Sequence, residues 1–86
     1  GIRLHQNYPN PFNPETNIAY TLEHRMPVKL NVYNVNGKKI TTLVNRIQGP
    51  GTQSVRFSSS NLSSGIYFYR IKTPTGTLMR SMTYIK

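Results

Sequence analysis

The chain is poor in the residues that carry out acid–base or metal chemistry. Its 86 residues include only two carboxylates, Glu15 and Glu23, and two histidines, His5 and His24, with no aspartate and no cysteine. A Ser-His-Asp triad needs a carboxylate to orient its histidine, a glycosidase needs a matched carboxylate pair, and a zinc site needs clustered ligands. The glutamates lie on different segments and no ligand cluster surrounds either histidine. We therefore expect no enzyme, no metal site and no cofactor.

Positive charge is the most unusual feature of the composition. Eleven lysines and arginines outweigh the two glutamates and give a net charge of +9. A field of this sign favours anionic partners without specifying one. The cations are spread along the chain, and the only adjacent pair, Lys38-Lys39, lies beside a turn. Two interpretations remain open, namely solvated outer faces of strands and a functional contact with an anionic ligand.

Short segments in which apolar and polar residues alternate predict the elements that must position these side chains. The clearest are residues 18–22, 28–35, 53–57 and 66–72, with weaker candidates at 2–6, 38–47 and 77–85. Alternation with a period of two is typical of a strand that buries one face. No segment has the length and pattern of an ordinary helix. The sequence therefore predicts about seven strands.

Turn-forming residues separate these segments. Asn36-Gly37 is a strong signal for a type I′ hairpin, because both residues tolerate a positive φ. Gly49-Pro50-Gly51 and Thr73-Pro74-Thr75-Gly76 predict two further turns, and residues 58–61 form a polar stretch. Short strands about ten residues apart are typical of a sandwich or barrel. We expect one all-β domain over residues 1–86, an antiparallel β-sandwich.

The segment from Tyr8 to Pro14 contains three prolines in six residues, at positions 9, 11 and 14. Proline lacks a backbone donor, which excludes a helix or a central strand, and it disfavours helical geometry in the preceding residue. The sequence predicts a stiff, extended connection, with Tyr8 and Phe12 packing on the sandwich edge. This connection can be a purely structural link between the first two strands, a presented recognition surface, or both.

Four segments along the chain resemble one known family. Residues 6–18 (QNYPNPFNPETNI) look like the opening signature of the type A C-terminal sorting domain of the Por, or type IX, secretion system. Residues 28–40 (VKLNVYNVNGKKI) are similar to its middle hairpin, residues 62–71 (LSSGIYFYRI) to its Ser-Gly-x-Tyr motif, and residues 82–86 (MTYIK) to its basic terminus. The resemblance covers Leu4 to Lys86 and implies an immunoglobulin-like sandwich, a fold that the flagellar hook-capping protein shares.

This resemblance implies a non-catalytic sorting signal at the C-terminus of a larger cargo protein. The cargo would first enter the periplasm by an N-terminal export signal that this segment lacks. The domain would then direct it through the outer-membrane translocon and shuttle proteins to the cell surface or medium. In many relatives a sortase-like peptidase removes the domain and joins the cargo to lipopolysaccharide. We also expect weak self-association through an open edge strand, but no nucleic-acid partner.

Two regions are candidates for recognition by the secretion machinery. One is the proline-rich segment Pro9, Asn10, Pro11 and Phe12. The other combines the last strand, with Ile85 and Lys86, and the corner from Gly65 to Tyr67. Structural roles remain open for two of these residues, because Gly65 suits a turn that needs an unusual φ and Tyr67 suits the core.

Two other functions compete with the sorting signal. In an accessory carbohydrate-binding or adhesive module of a secreted hydrolase, exposed aromatics such as Tyr33 or Phe68 would stack on sugar rings. In a nucleic-acid binder, the run Tyr67-Phe68-Tyr69-Arg70 would stack on bases. The strand alternation instead assigns these aromatics to the core and edges, which favours the sorting signal.

Overall fold

The predicted strands are all present. The computed structural model describes residues 1–59 and 61–86. Its seven elements are all strands: β1 (Ile2–Leu4), β2 (Glu15–Leu22), β3 (Met26–Tyr33), β4 (Lys39–Gln48), β5 (Gly51–Ser58), β6 (Gly65–Thr73) and β7 (Gly76–Tyr84). The less regular segments, now β4 and β7, are strands as predicted. Ser60, in the predicted polar stretch 58–61, lies outside the described residues.

The strands form two antiparallel sheets. One has the order β1-β2-β5, and the other has the order β4-β3-β6-β7. The chain passes between the sheets after β2, β4 and β5, so that consecutive strands pair only in β1–β2, β3–β4 and β6–β7. This arrangement confirms the immunoglobulin-like β-sandwich.

The alternating residues pack between the two sheets as predicted. The buried hydrophobic side chains are Leu4, Phe12, Ile18, Tyr20, Leu22, Met26, Val28, Leu30, Val32, Val44, Phe57, Tyr67, Tyr69, Ile71, Met82 and Tyr84. Strand β7 differs along its length, because Met82 and Tyr84 are buried whereas Leu78 and Met79 are exposed. The core therefore continues to the C-terminal end of β7 and thins out at its beginning.

The β3–β4 hairpin forms where predicted, but the predicted turn type is wrong. Gly37 has a φ of 81°, whereas none of the described residues other than glycines has a positive φ, so Asn36 does not adopt the geometry of a type I′ turn. The reason lies in Asn34, whose Oδ1 accepts hydrogen bonds from the backbone N–H groups of Asn36 (2.9 Å) and Lys38 (3.0 Å). This side chain stabilises a wider loop over residues 34–38.

Candidate recognition surface

The proline-rich segment links the two sheets. Tyr8 pairs with Asn17 of β2, in the three-stranded sheet, and Phe12 pairs with Tyr84 of β7, in the four-stranded sheet. The peptide bonds that precede Pro9, Pro11 and Pro14 are cis. The extended connection expected from the sequence is wrong, since the chain bends at positions 9–11 and 13–14. It must turn because its two anchor points lie on different sheets.

Phe12 attaches this segment to the C-terminal end of β7. Its N–H donates to the carbonyl of Thr83 (3.0 Å), and its carbonyl accepts from the N–H of Ile85 (3.1 Å). The ring is 1% exposed, and its centroid lies 5.4 Å from that of Tyr84 and 6.0 Å from that of Phe57. Phe12 thus packs between a residue of each sheet. Tyr8, which was also expected to pack, is 79% exposed.

Two side chains of the same region form further hydrogen bonds to the outer backbone edge of β7. The Oδ1 of Asn10 accepts a hydrogen bond from the N–H of Thr83 (3.0 Å), and the Nε2 of Gln6 donates to the carbonyl of Ser81 (2.8 Å). An open edge strand offers unpaired backbone groups to a partner. Here the carbonyl of Ser81, both backbone groups of Thr83 and the N–H of Ile85, just after β7, already have partners within the chain. Strand addition by a partner is therefore blocked along this half of β7.

The corner before β6 contacts the C-terminus from its other side. Gly65 pairs with Tyr84 and has a φ of 152°, which confirms the unusual backbone conformation expected there. The backbone N–H of Lys86 donates to the Oγ of Ser64 (2.9 Å). Tyr67 is buried, in line with a core residue, and its hydroxyl donates to the carbonyl of Ser63 (2.7 Å).

All the candidate recognition residues therefore meet at one end of the sandwich. Residues 83–86 lie between the proline-rich segment and the corner at residues 63–65, although more than 70 positions separate the ends of this group in the chain. Phe12 and Tyr67 are buried, Gly65 is half-buried, and the remaining members are exposed. We call these exposed members the terminal surface, and they are Pro9, Asn10, Pro11, Ile85 and Lys86.

A buried hydrogen-bond network supports this region, and the sequence did not predict it. The hydroxyl of Tyr69, in the core, donates to the carbonyl of His5 (2.6 Å) and accepts from the N–H of Asn7 (2.9 Å). Burial raises the pKa of Tyr69, so its hydroxyl remains protonated. The Nδ2 of buried Asn7 donates to the Oγ1 of buried Thr16 (3.0 Å). Alternation identified Tyr69 as a core residue, but it gives no information on the partners of a hydroxyl.

Both glutamates lie close to cationic groups of the chain. Glu15 lies 3.6 Å from Arg56, and Glu23 lies 2.9 Å from the N-terminal ammonium, which lowers the pKa of Glu23. Within residues 1–59 and 61–86, no three metal-ligating side chains form a group. In the same part of the chain, no helix is long and apolar enough to cross a membrane.

The competing aromatic candidates divide between the two faces of β6. Tyr67 and Tyr69 are buried, whereas Phe68 and Arg70 lie half-buried on the outer face, next to Tyr33 of β3. The guanidinium of Arg70 lies 4.7 Å from the centroid of the Tyr33 ring. The run of four residues from Tyr67 to Arg70 is therefore not a continuous stacking surface.

Comparison with known proteins agrees with the fold and the motifs. The family model described as the secretion system C-terminal sorting domain matches residues 6–85. A search of curated proteins gave no match. The match covers nearly the whole chain, including the proline-rich segment, the corner before β6 and the end of β7. The chain belongs to this family, the C-terminal sorting domains of the type IX secretion system.

Proposed function

We propose that residues 1–86 form a non-catalytic sorting domain whose terminal surface is recognised by the outer-membrane translocon or its shuttle proteins. Membership of the family already assigns the chain to type IX export, towards the cell surface or the exterior. The proposal adds a cargo protein joined to the N-terminal side, passage through the periplasm, and removal of the domain by a sortase-like peptidase that anchors the cargo.

The observation that carries this proposal is the convergence of two distant segments on the chain's last residues. A surface built from segments so distant in the chain exists only in the folded domain. The hydrogen bonds of Phe12 to Thr83 and Ile85 create such a surface, because they fix the terminal residues against the proline-rich segment. Since the backbone edge here is already occupied, we expect a partner to contact exposed side chains such as Ile85, which is 53% exposed, and Lys86.

Secretion of a reporter tests the proposal. Residues 1–86 are fused to the C-terminus of a periplasm-targeted fluorescent protein, in a bacterium with an intact type IX system and in a strain without the translocon. We expect the reporter at the surface or in the medium only in the intact strain. A reporter that stays in the periplasm while folded would show that the domain is not sufficient for sorting.

A pair of matched variants then locates the recognised surface. The double variant I85S/K86Q changes the terminal surface, and I47S/K38Q removes the same residue types from exposed positions elsewhere. Both leave the contacts of Phe12 in place, unlike deletion of residues 83–86, which removes them. We expect export to fall only in I85S/K86Q. Equal export of both variants would show that recognition lies on another surface.

A further inference from the structure

The outer face of the four-stranded sheet carries a second ordered cluster of side chains, away from the terminal surface. Its two central strands place outward residues opposite one another in three rows: Lys29 with Lys72, Asn31 with Arg70, and Tyr33 with Phe68. We call these six residues the cationic face. Both strands are paired on both sides, β3 with β4 and β6, and β6 with β3 and β7. A ligand on this face can therefore contact side chains only.

The positive charge of this face is not compensated within the described part of the chain. Lys29 and Lys72 are directly opposite each other, an arrangement of like charges that is unfavourable for folding. Both glutamates lie outside this sheet, one in β2 and the other directly after it, and Glu15 lies 3.6 Å from Arg56 of the other sheet. An anionic ligand would remove this repulsion, which makes the charge pattern complementary to an acidic partner.

Arg70 is held in place without a carboxylate. Its guanidinium stacks on the ring of Tyr33 and donates a hydrogen bond to the Tyr33 hydroxyl. That hydroxyl also accepts a hydrogen bond from the Nδ2 of Asn31 (3.0 Å). A half-buried cation fixed by neutral groups keeps donors free for a ligand, and its fixed position lowers the entropy lost on binding.

A shallow depression of about 210 Å³ lies beside this arginine. Apolar side chains of Val35, Phe68 and Met79 line it together with Tyr33 and Arg70. Val35 and Met79 are both more than half exposed. The Oδ1 of Asn31, which is 6% exposed, has no hydrogen-bond partner within the described residues. The depression therefore combines an apolar floor with a fixed cation.

We propose that the cationic face binds an acidic polysaccharide. One sugar ring would pack on the apolar floor, and the carboxylates of the chain would pair with Arg70 and with the Lys29–Lys72 pair. Rows along a strand are roughly 7 Å apart, so the lysine pair lies about 13–14 Å from the aromatic pair. This spacing suits a polymer with several acidic sugars. Binding of an acidic sugar requires apolar groups for the ring face, hydrogen-bonding groups for the hydroxyls and cations for the carboxylate.

The geometry disfavours two other acidic ligands. An extended acidic peptide binds sheets mainly through main-chain hydrogen bonds, which the paired strands β3 and β6 cannot offer. A single-stranded nucleic acid needs open aromatic faces for its bases, but the guanidinium of Arg70 covers one face of Tyr33.

Isothermal titration of the 86-residue chain with oligogalacturonate tests this proposal. Its methyl-esterified form, which lacks the charges, serves as the neutral comparison. We expect saturable binding of the acidic form only, and a loss of about tenfold in affinity in K29Q/K72Q. F68L leaves the charge unchanged and should weaken binding as well, because the ring is lost. The thermal unfolding midpoint of each variant verifies that it is folded.

The control variant R3Q/R56Q removes the same charge from exposed positions on the other sheet. We expect it to weaken binding by less than about twofold. Equal losses in both double variants would overturn the proposal, because they would show unspecific attraction by the net charge of +9. Tighter, Phe68-dependent binding of a single-stranded DNA oligomer would also overturn it. The secretion assay is not involved, so this proposal and the sorting function fail independently.

Discussion

The two sheets share one core but differ in the charge that they present to solvent. The three-stranded sheet carries Arg3 and Arg56, and Arg56 lies 3.6 Å from Glu15 of the same sheet. The outer face of the four-stranded sheet carries only the cations Lys29, Lys39, Arg70 and Lys72. Arg46 and Arg80 of the same sheet lie opposite the core residues Val28 and Tyr69. Packing of the shared core requires alternation in both sheets and leaves the outer faces unconstrained. The fold therefore does not account for the uneven charge, which is the pattern that the proposed anionic ligand requires.

The segment between β1 and β2 differs from both sheets because it contributes to each. It pairs with β2 through Tyr8, with β7 through Phe12, and with the hydroxyl of Tyr69 through Asn7. The packing of the two sheets against each other thus depends on this connection. The largest effects on stability are expected at this connection, and the smallest on the outer faces.

Phe12→Ala should have the largest effect. The ring is buried between Phe57 and Tyr84, so its removal leaves a cavity between the sheets and should cost about 3–5 kcal/mol of unfolding free energy. Chemical denaturation followed by fluorescence measures this loss. The neighbouring variant Tyr8→Ala removes an exposed ring and should stay within about 0.5 kcal/mol of the parent. Similar losses in both variants would contradict the role assigned to Phe12.

Tyr69→Phe should cause the second-largest loss of unfolding free energy. The variant keeps the buried ring but leaves the N–H of Asn7 and the carbonyl of His5 without their partner, which should cost about 1–3 kcal/mol. Tyr84→Phe is the matched control, because the hydroxyl of Tyr84 has no hydrogen-bond partner among the described residues. Equal unfolding free energies for the two variants would show that the buried network does not support the connection.

Gly65→Ala should have a smaller effect, confined to the corner that contacts the C-terminus. A Cβ there meets no atom within 4 Å, so any loss comes from the φ of 152° rather than from a steric clash. We expect a loss of about 1–2 kcal/mol. Gly49→Ala, at a glycine that also has free space but no positive φ, should be neutral or slightly stabilising. A neutral Gly65→Ala would show that the backbone of the corner adapts.

The strands could be predicted from the sequence because alternation reports directly on burial. Residues 66–72 illustrate this, since Tyr67, Tyr69 and Ile71 are buried exactly on alternate positions. The turn at Asn36-Gly37 was predicted in the right place with the wrong geometry. A dipeptide rule considers only the two central residues, whereas the side chain of Asn34 determines the loop.

The candidate recognition residues could be predicted only as separate segments. Pro9–Phe12 and Ile85–Lys86 were proposed for different reasons, and the pairing of Phe12 with Tyr84 depends on how the sheets pack. The cationic face shows the same limit. Tyr33 and Phe68 were named as exposed aromatics only in the carbohydrate-binding alternative, and the stacking of Arg70 on Tyr33 follows from the register between β3 and β6. Contacts across strands are fixed by register, which a single sequence pattern does not specify.

Lys72→Gln should have the smallest effect on the unfolding free energy, and it should raise this energy rather than lower it. Because Lys72 lies opposite Lys29, its neutralisation removes a repulsion and should stabilise the domain by a few tenths of a kcal/mol at low salt. Screening should abolish the gain at about 1 M salt, where charges interact over only about 3 Å. Arg56→Gln on the other sheet loses its pairing with Glu15 and should show no gain at low salt. If Lys72→Gln instead lowered stability at low salt, the cations of the four-stranded sheet would already be compensated within the chain, and the contrast between the sheets would no longer imply an anionic partner.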